Sequence, residues 1–166
     1  MRTIDIKNRV LALMLLCLVT AASGTAQTQI AKPSIKMQLS GSVVRPSGNI
    51  TLDQAGVVAP GEVILYTIAS HNEGTKPAFG YKATGPIPAN TVYVQGSAKA
   101  DGAAELFSID GGKSYSSLPM IEERQLDGTM RKVPAPVSMY TQVRFEWNDP
   151  VEADGRSSAV YQVRVK

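Results

Sequence analysis

Residues 63–71, VILYTIASH, constrain this chain more than any other stretch. Successive residues of a strand point to opposite sides. Ile64, Tyr66 and Ile68 would therefore share one face, and Val63, Leu65, Thr67, Ala69 and His71 the other. Pro60-Gly61 opens the run and Asn72-Glu73-Gly74 closes it, both with residues suited to turns. β-branched and aromatic residues dominate between them, as strands prefer. Nothing in the run is a nucleophile, a carboxylate pair or a metal-ligand cluster, so it reads as scaffold.

The same grammar recurs along the chain. Ile35, Met37 and Leu39 alternate with Lys36, Gln38 and Ser40 over residues 35–44. A short strand is expected at 49–52, one in 77–90 ended by Pro86 and Pro88, and one at 91–96. Residues 104–118 read as a hairpin around Asp110-Gly111-Gly112, residues that accept positive φ. Residues 120–136 are charged, with a second turn signal at Asp127-Gly128. Thr141, Val143, Phe145 and Trp147 share one face of 140–148, and Ala159, Tyr161, Val163 and Val165 one face of 158–166. From residue 27 onward no apolar stripe recurs at i, i+3, i+4, i+7 over a helix length. About seven to nine short strands at turn-marked spacing predict an all-β antiparallel β-sandwich. No repeat and no second domain are visible.

The first 26 residues stand apart. Arg2, Lys7 and Arg9 precede the apolar run Val10–Val19, and Gly24 and Ala26 offer small residues at a cleavage site. That pattern predicts a secretory signal peptide and an exported product, periplasmic, surface-bound or extracellular. The apolar run is shorter than the roughly 20 residues that span a bilayer, so the membrane is expected to be met only in transit. The leader would remove three of the 17 basic and one of the 14 acidic residues, lowering the net charge from +3 to +1. With no long run of like charge left, nucleic acid is not an expected partner. The only cysteine, Cys17, lies in the leader. Disulfides, thiolate metal sites and thiol chemistry are then not expected in the exported domain. Residues 27–34, polar and containing Pro33, read as a flexible arm entering the domain at 35–166. With Lys166 closing the last strand, no sorting tail or anchor is expected after it.

Several stretches in order resemble the bacterial conserved Ig-like repeat called domain of unknown function eleven. "APGEVILYTIASHNEGTKPA" is similar to its Pro-Gly, strand, Asn-x-Gly signature, "IPANTVYVQGSAKADG" to the strand that follows, and "FSIDGGKSY" and "TQVRFEW" to later strands. The likeness covers residues 35–166. It implies an Ig-like sandwich in an envelope or surface protein and brings no catalytic residues. Departures are Val63 and Leu65 where the family tends to place Thr, Ser70 where it prefers Val, and a single domain where tandem arrays are usual.

Candidate site residues are sparse. His71, the only histidine, would be a solvent-exposed strand residue, since no second His or Cys is there to join it. Asp149, Glu152 and Asp154 could gather oxygens for calcium, although their spacing misses the EF-hand pattern. Ile35, Met37 and Leu39, beside a mobile arm, and the outward Val63 and Leu65 are candidates for a partner surface. Burying a residue such as Val or Leu is worth roughly 1.5–3 kcal/mol. The 45–56 loop or the arm could instead cover Val63 and Leu65. No cofactor is implied, and no motif places an acid–base pair, so an enzyme is not expected. The expected function is a structural or adhesive module that contacts a protein partner, or itself, through a sheet edge. The alternative is a polysaccharide- or calcium-binding module.

Overall fold

The computed structural model describes residues 31–166. The leader and residues 27–30 of the arm lie outside the described residues. Eleven strands follow one another, more than the seven to nine expected: β1 (Ile35–Val44), β2 (Ile50–Thr51), β3 (Val63–Asn72), β4 (Lys82–Pro86), β5 (Thr91–Tyr93), β6 (Lys99–Ala100), β7 (Ala103–Ser108), β8 (Met120–Arg124), β9 (Met130–Pro134), β10 (Gln142–Trp147) and β11 (Arg156–Val165). The excess comes from the two-residue strands β2 and β6 and from the hairpin β8–β9. One helical turn, α1 (Leu52–Ala55), and one 3-10 turn (Val137–Met139) interrupt them.

Two antiparallel sheets face each other in an all-β sandwich. The larger runs in the order β2-β1-β3-β11-β5, with β6 also on β11; the smaller is β4-β10-β7. The long alternating runs form the central strands. Ile64 and Ile68 of β3 and Ala159, Tyr161 and Val163 of β11 point inward against Ala83 of β4 and Val143, Phe145 and Trp147 of β10. Tyr161 is fully buried and Phe145 likewise. These are the faces the sequence alternation assigned to the core.

Tyr161 fixes how the sheets overlap. A Cβ on Gly85 of β4 would lie 2.4 Å from its ring, so only glycine lets β4 approach this closely. The Tyr161 hydroxyl donates to the Pro86 carbonyl at 2.7 Å, and its ring stacks on Tyr66 of β3 with centroids 5.2 Å apart. Burial, followed by the neighbouring Tyr66, pushes its phenol well above the ordinary value. β4 therefore lies over β3 and β11. At the other side Phe107 of β7 packs on Tyr93 of β5 at 5.0 Å.

Two expectations change. The hairpin expected at 104–118 forms only one full strand, β7, which pairs with β10; its second arm is reduced to a single bridge between Phe107 and Ser116. Asp110 accounts for this, because its carboxylate accepts bonds from Ser108, Lys113 and Ser114 and winds the segment into a broad loop. The charged stretch 120–136 instead forms the hairpin β8–β9, which makes its own two-stranded sheet.

Candidate functional site

The site begins with β1. It pairs with β3 over its whole length, Ile35 opposite Asn72 through Val44 opposite Val63. Met37 lies opposite Ser70, and Leu39 opposite Ile68, so Ile35, Met37 and Leu39 share the core-facing side of the sheet. Yet Met37 is 52% exposed and Leu39 39%, whereas Val43 on the same side is completely buried. The cause is overhead cover. β4, the nearest strand of the smaller sheet, stops over β3, leaving β1 beyond its edge. The far end of β1 is roofed by other means: Ile50 of β2 flanks Val43, Leu52 of α1 lies over Gly41, and Val58 packs on the core.

The edge of β1 is open where its roof is missing. β2 pairs with β1 only at Ser42 and Val43, leaving residues 35–41 with β3 as their sole strand neighbour. The direction of the free groups follows from the ladder. The Asn72 N–H donates to Gly155, away from β1, and the Glu73 N–H donates to the Ser34 carbonyl at 2.9 Å. Antiparallel pairs alternate between bonded and non-bonded, so the even-numbered residues of β1 bond to β3. Ile35, Met37 and Leu39 thus turn their backbone N–H and C=O groups outward, with no strand beside them, whereas Gly41 lies where β2 and Leu52 close the edge.

What anchors this end is polar. Asn72 is fully buried. Its amide nitrogen donates to the carbonyls of Lys76 (2.8 Å) and Val151 (2.9 Å), and its side-chain oxygen accepts the N–H groups of Ser34 (3.0 Å) and Gly74 (3.1 Å). The Thr75 N–H donates to the Lys32 carbonyl. A Cβ on Gly74 would lie 2.3 Å from that carbonyl, so the glycine admits the incoming chain. Residues 32–34 of the expected arm are therefore tied to the 72–75 turn. Sequence reasoning saw Asn72 only as a turn residue; its place at the end of the best-patterned strand was the available signal.

The outward side of the larger sheet carries Val63 and Leu65, both half-buried. They lie opposite Val44 and Ser42 at the roofed end of β1. The five partner-surface candidates therefore do not form one surface. Ile35, Met37 and Leu39 stand on one face and Val63 and Leu65 on the other. Leu52 of the 45–56 loop packs on the core-facing side, over Gly41.

Two hollows accompany the site. One, of about 630 Å³, lies on the outward face between β1, β3 and β11 and is walled by Lys36, Gln38, Ala69, His71, Arg156 and Ser158. His71 is less exposed than expected, its side chain 27% accessible, and its Nε2 lies 2.6 Å from Asp154 Oδ1. Lys36 pairs with Glu73 at 2.9 Å. The other, of about 430 Å³, includes Asp101, Trp147, Asp149, Glu152 and Arg156. Asp149 and Glu152 thus line this second hollow while Asp154 turns to His71, so the three calcium candidates do not converge. Among the described residues no group of three or more His, Cys, Asp or Glu is placed to hold a metal ion. The reason is local: Asp154 sits at positive φ in a tight turn whose backbone is bonded to Asn72, which aims its side chain at the His71 side.

In the sequence the hairpin β8–β9 shows as a charged stretch with a turn signal at Asp127-Gly128, the turn that the structure uses. It exposes Leu118, Met120, Met130 and, at its tip, Leu126. Its register sets Glu122 opposite Lys132 and Glu123 opposite Arg131. Among the described residues no helix is long and apolar enough to cross a membrane. No family model, no curated protein and no solved structure matches the chain. The fold and the open edge define the class at this point: an all-β sandwich in which the first half of β1 has no roof on its core-facing side and no strand along its outer edge.

Proposed function

We propose that this chain is a non-enzymatic, exported structural or adhesive module, Ig-like in kind, that takes up an extended strand of a protein partner along β1. One observation carries the reading: Met37 and Leu39 face the core side of the sheet yet stand exposed beside the unpaired edge 35–40. A strand added there satisfies outward N–H and C=O groups and covers apolar side chains, the two contributions that give strand addition its affinity and specificity. Edge strands are usually blunted by Pro, several charges or a bulge. Here residues 35–41 contain only Lys36 as a charge and no Pro.

The leader pattern supports export, and the order of the family-like stretches supports a place in the envelope or at the surface. A polysaccharide reading would need an aromatic platform in the second hollow, but Trp147 is 9% exposed and its ring stacks on Tyr81. Calcium binding lacks a converging set of oxygens for the reason given above. The test is the size of the protein in envelope extracts of its host on native gels. The unaltered chain should run in a species larger than a monomer, and Met37→Lys with Leu39→Lys should run as a monomer at an unchanged melting temperature. A monomeric unaltered chain, or a variant still in the larger species, would reject the reading.

A further inference from the structure

We infer that the hollow on the outward face of the larger sheet binds an oxyanion, clamped by Arg156 with Lys36 and His71 beside it. The hollow lies on the side of β1 away from Met37 and Leu39, so the site goes beyond strand uptake and does not depend on it.

Register puts three nitrogen-bearing side chains in one row. Lys36 of β1 lies opposite His71 of β3, and His71 lies opposite Arg156 of β11. The next outward row is Gln38, Ala69 and Ser158. Neighbouring strands are about 4.8 Å apart, and rows two residues apart are separated by roughly 7 Å. The hollow, about 630 Å³, lies between the two rows, over the backbone of Met37, Ser70 and Ser157. Ala69 and Ser158 are short and exposed, and they leave open a space that longer side chains would fill.

Charge decides the class of ligand. Like charges directly opposite each other destabilise a sheet, so a row of this kind calls for counter-charge. Two acids supply part of it from behind. Glu73 holds Lys36 at 2.9 Å, and Asp154 holds His71 at 2.6 Å. Both acids lie in turns beyond the strand ends, and neither lines the hollow. Arg156 makes no ion pair among the described residues. No outward residue of β1, β3 or β11 is Asp or Glu, whereas Lys36, Arg156 and Arg164 are basic. The lining therefore offers cations, an amide and a hydroxyl, and no carboxylate.

The side chains suit an oxyanion. The planar guanidinium of Arg156 matches two oxygens of a carboxylate or phosphate at once. An ammonium has three donors, so Lys36 keeps two after pairing with Glu73. Gln38 and Ser158, across the hollow, face the remaining oxygens. Glu73 and Asp154 fix their partners in place before any ligand arrives, and Arg156 is the free clamp.

Amide NMR titrations of the purified protein at constant ionic strength test the site, with inorganic phosphate, glucuronate and glucose as probes. Phosphate or glucuronate should saturate with a dissociation constant on the order of 1 mM, moving the amides of residues 37–38, 69–71 and 156–158. Saturation by phosphate alone selects a phosphoryl group, and by glucuronate alone a carboxylate carried on a sugar; either supports an oxyanion site. Glucose should move nothing. Arg156→Gln should weaken binding about tenfold, the loss expected of a charged hydrogen bond. Ala69→Glu, which puts a carboxylate in the hollow, should abolish it. Lys132→Gln on β9 removes the same charge elsewhere and should leave binding unchanged. Shifts that never saturate with either anion would overturn the site. So would equal weakening by Arg156→Gln and Lys132→Gln, or glucose binding as tightly as glucuronate.

Discussion

Val43 and Met37 lie on the same side of the same strand and meet opposite fates. Val43 has no accessible surface and Met37 has half of its own. Their alternation is equally regular and their backbones pair with the same neighbour. The difference is entirely what lies above them: a short strand, one helical turn and Val58 at one end, nothing at the other. Amphipathic patterning selects a face of a sheet. It does not guarantee that the opposing layer is wide enough to cover that face.

The comparison makes the open end dependent on Asn72 rather than on apolar cover, and this gives the largest expected effect. Asn72→Ala should cost about 3 kcal/mol, because the N–H groups of Ser34 and Gly74 lose their acceptor and the carbonyls of Lys76 and Val151 each lose a donor, Val151 keeping only the Ala78 N–H. Amide exchange should rise first in residues 34–40 and 151–155. Urea unfolding within about 1 kcal/mol of the parent would mean that something other than this asparagine holds the open end.

The two halves of β1 should then respond differently to the same kind of truncation. Val43→Ala should cost about 2 kcal/mol, a lost transfer energy plus a cavity. Met37→Ala, measured where the chain is monomeric, should stay within about 0.5 kcal/mol, as exposed positions do. Equal costs would erase the distinction drawn here. Tyr161→Phe tests why β4 stops where it does. Losing the bond to the Pro86 carbonyl should cost about 1 kcal/mol while the aromatic stack survives. A larger loss, with new exposure of Ala83, would show that this one hydroxyl sets the overlap of the two sheets.

Much of this was legible before any coordinates. Clean alternation in β3, β10 and β11 marked the central strands and assigned Ile68, Phe145, Tyr161 and Val163 to the core. What stayed hidden lacked a local signature. Leu39 reads like Val43 in the sequence, because exposure at an inward position depends on a strand that is missing elsewhere. β8 and β9 carry charge on both faces, so period-two patterning could not announce them. The loop at Asp110 looked like a tight hairpin because its glycines were visible, while the serines that cap the carboxylate looked ordinary. Asp154 was read as one of three oxygens, yet its turn points it to a histidine from a strand far away in sequence.

That Asp110 loop gives the smallest expected effect and a contrast with β1, since it is held by one exposed carboxylate rather than by layer contact. The hydroxyl of Ser114 bonds it at 2.5 Å, with the Ser114 N–H, the Ser108 hydroxyl and the Lys113 N–H adding to it, and together they hold its carboxyl well below the ordinary value of 3.8. A carboxyl whose folded value is depressed stabilises the fold above its unfolded value, and that contribution fades as pH falls from about 4 toward the depressed value. Asp110→Asn should therefore slightly lower the melting temperature at neutral pH and flatten the acid limb below pH of about 4, while leaving the exchange of residues 35–41 unchanged. An acid limb as steep in the variant as in the parent would assign that loss of stability to other carboxylates. Asp127 is the first to examine, because its Thr129 bonds depress it in the same way.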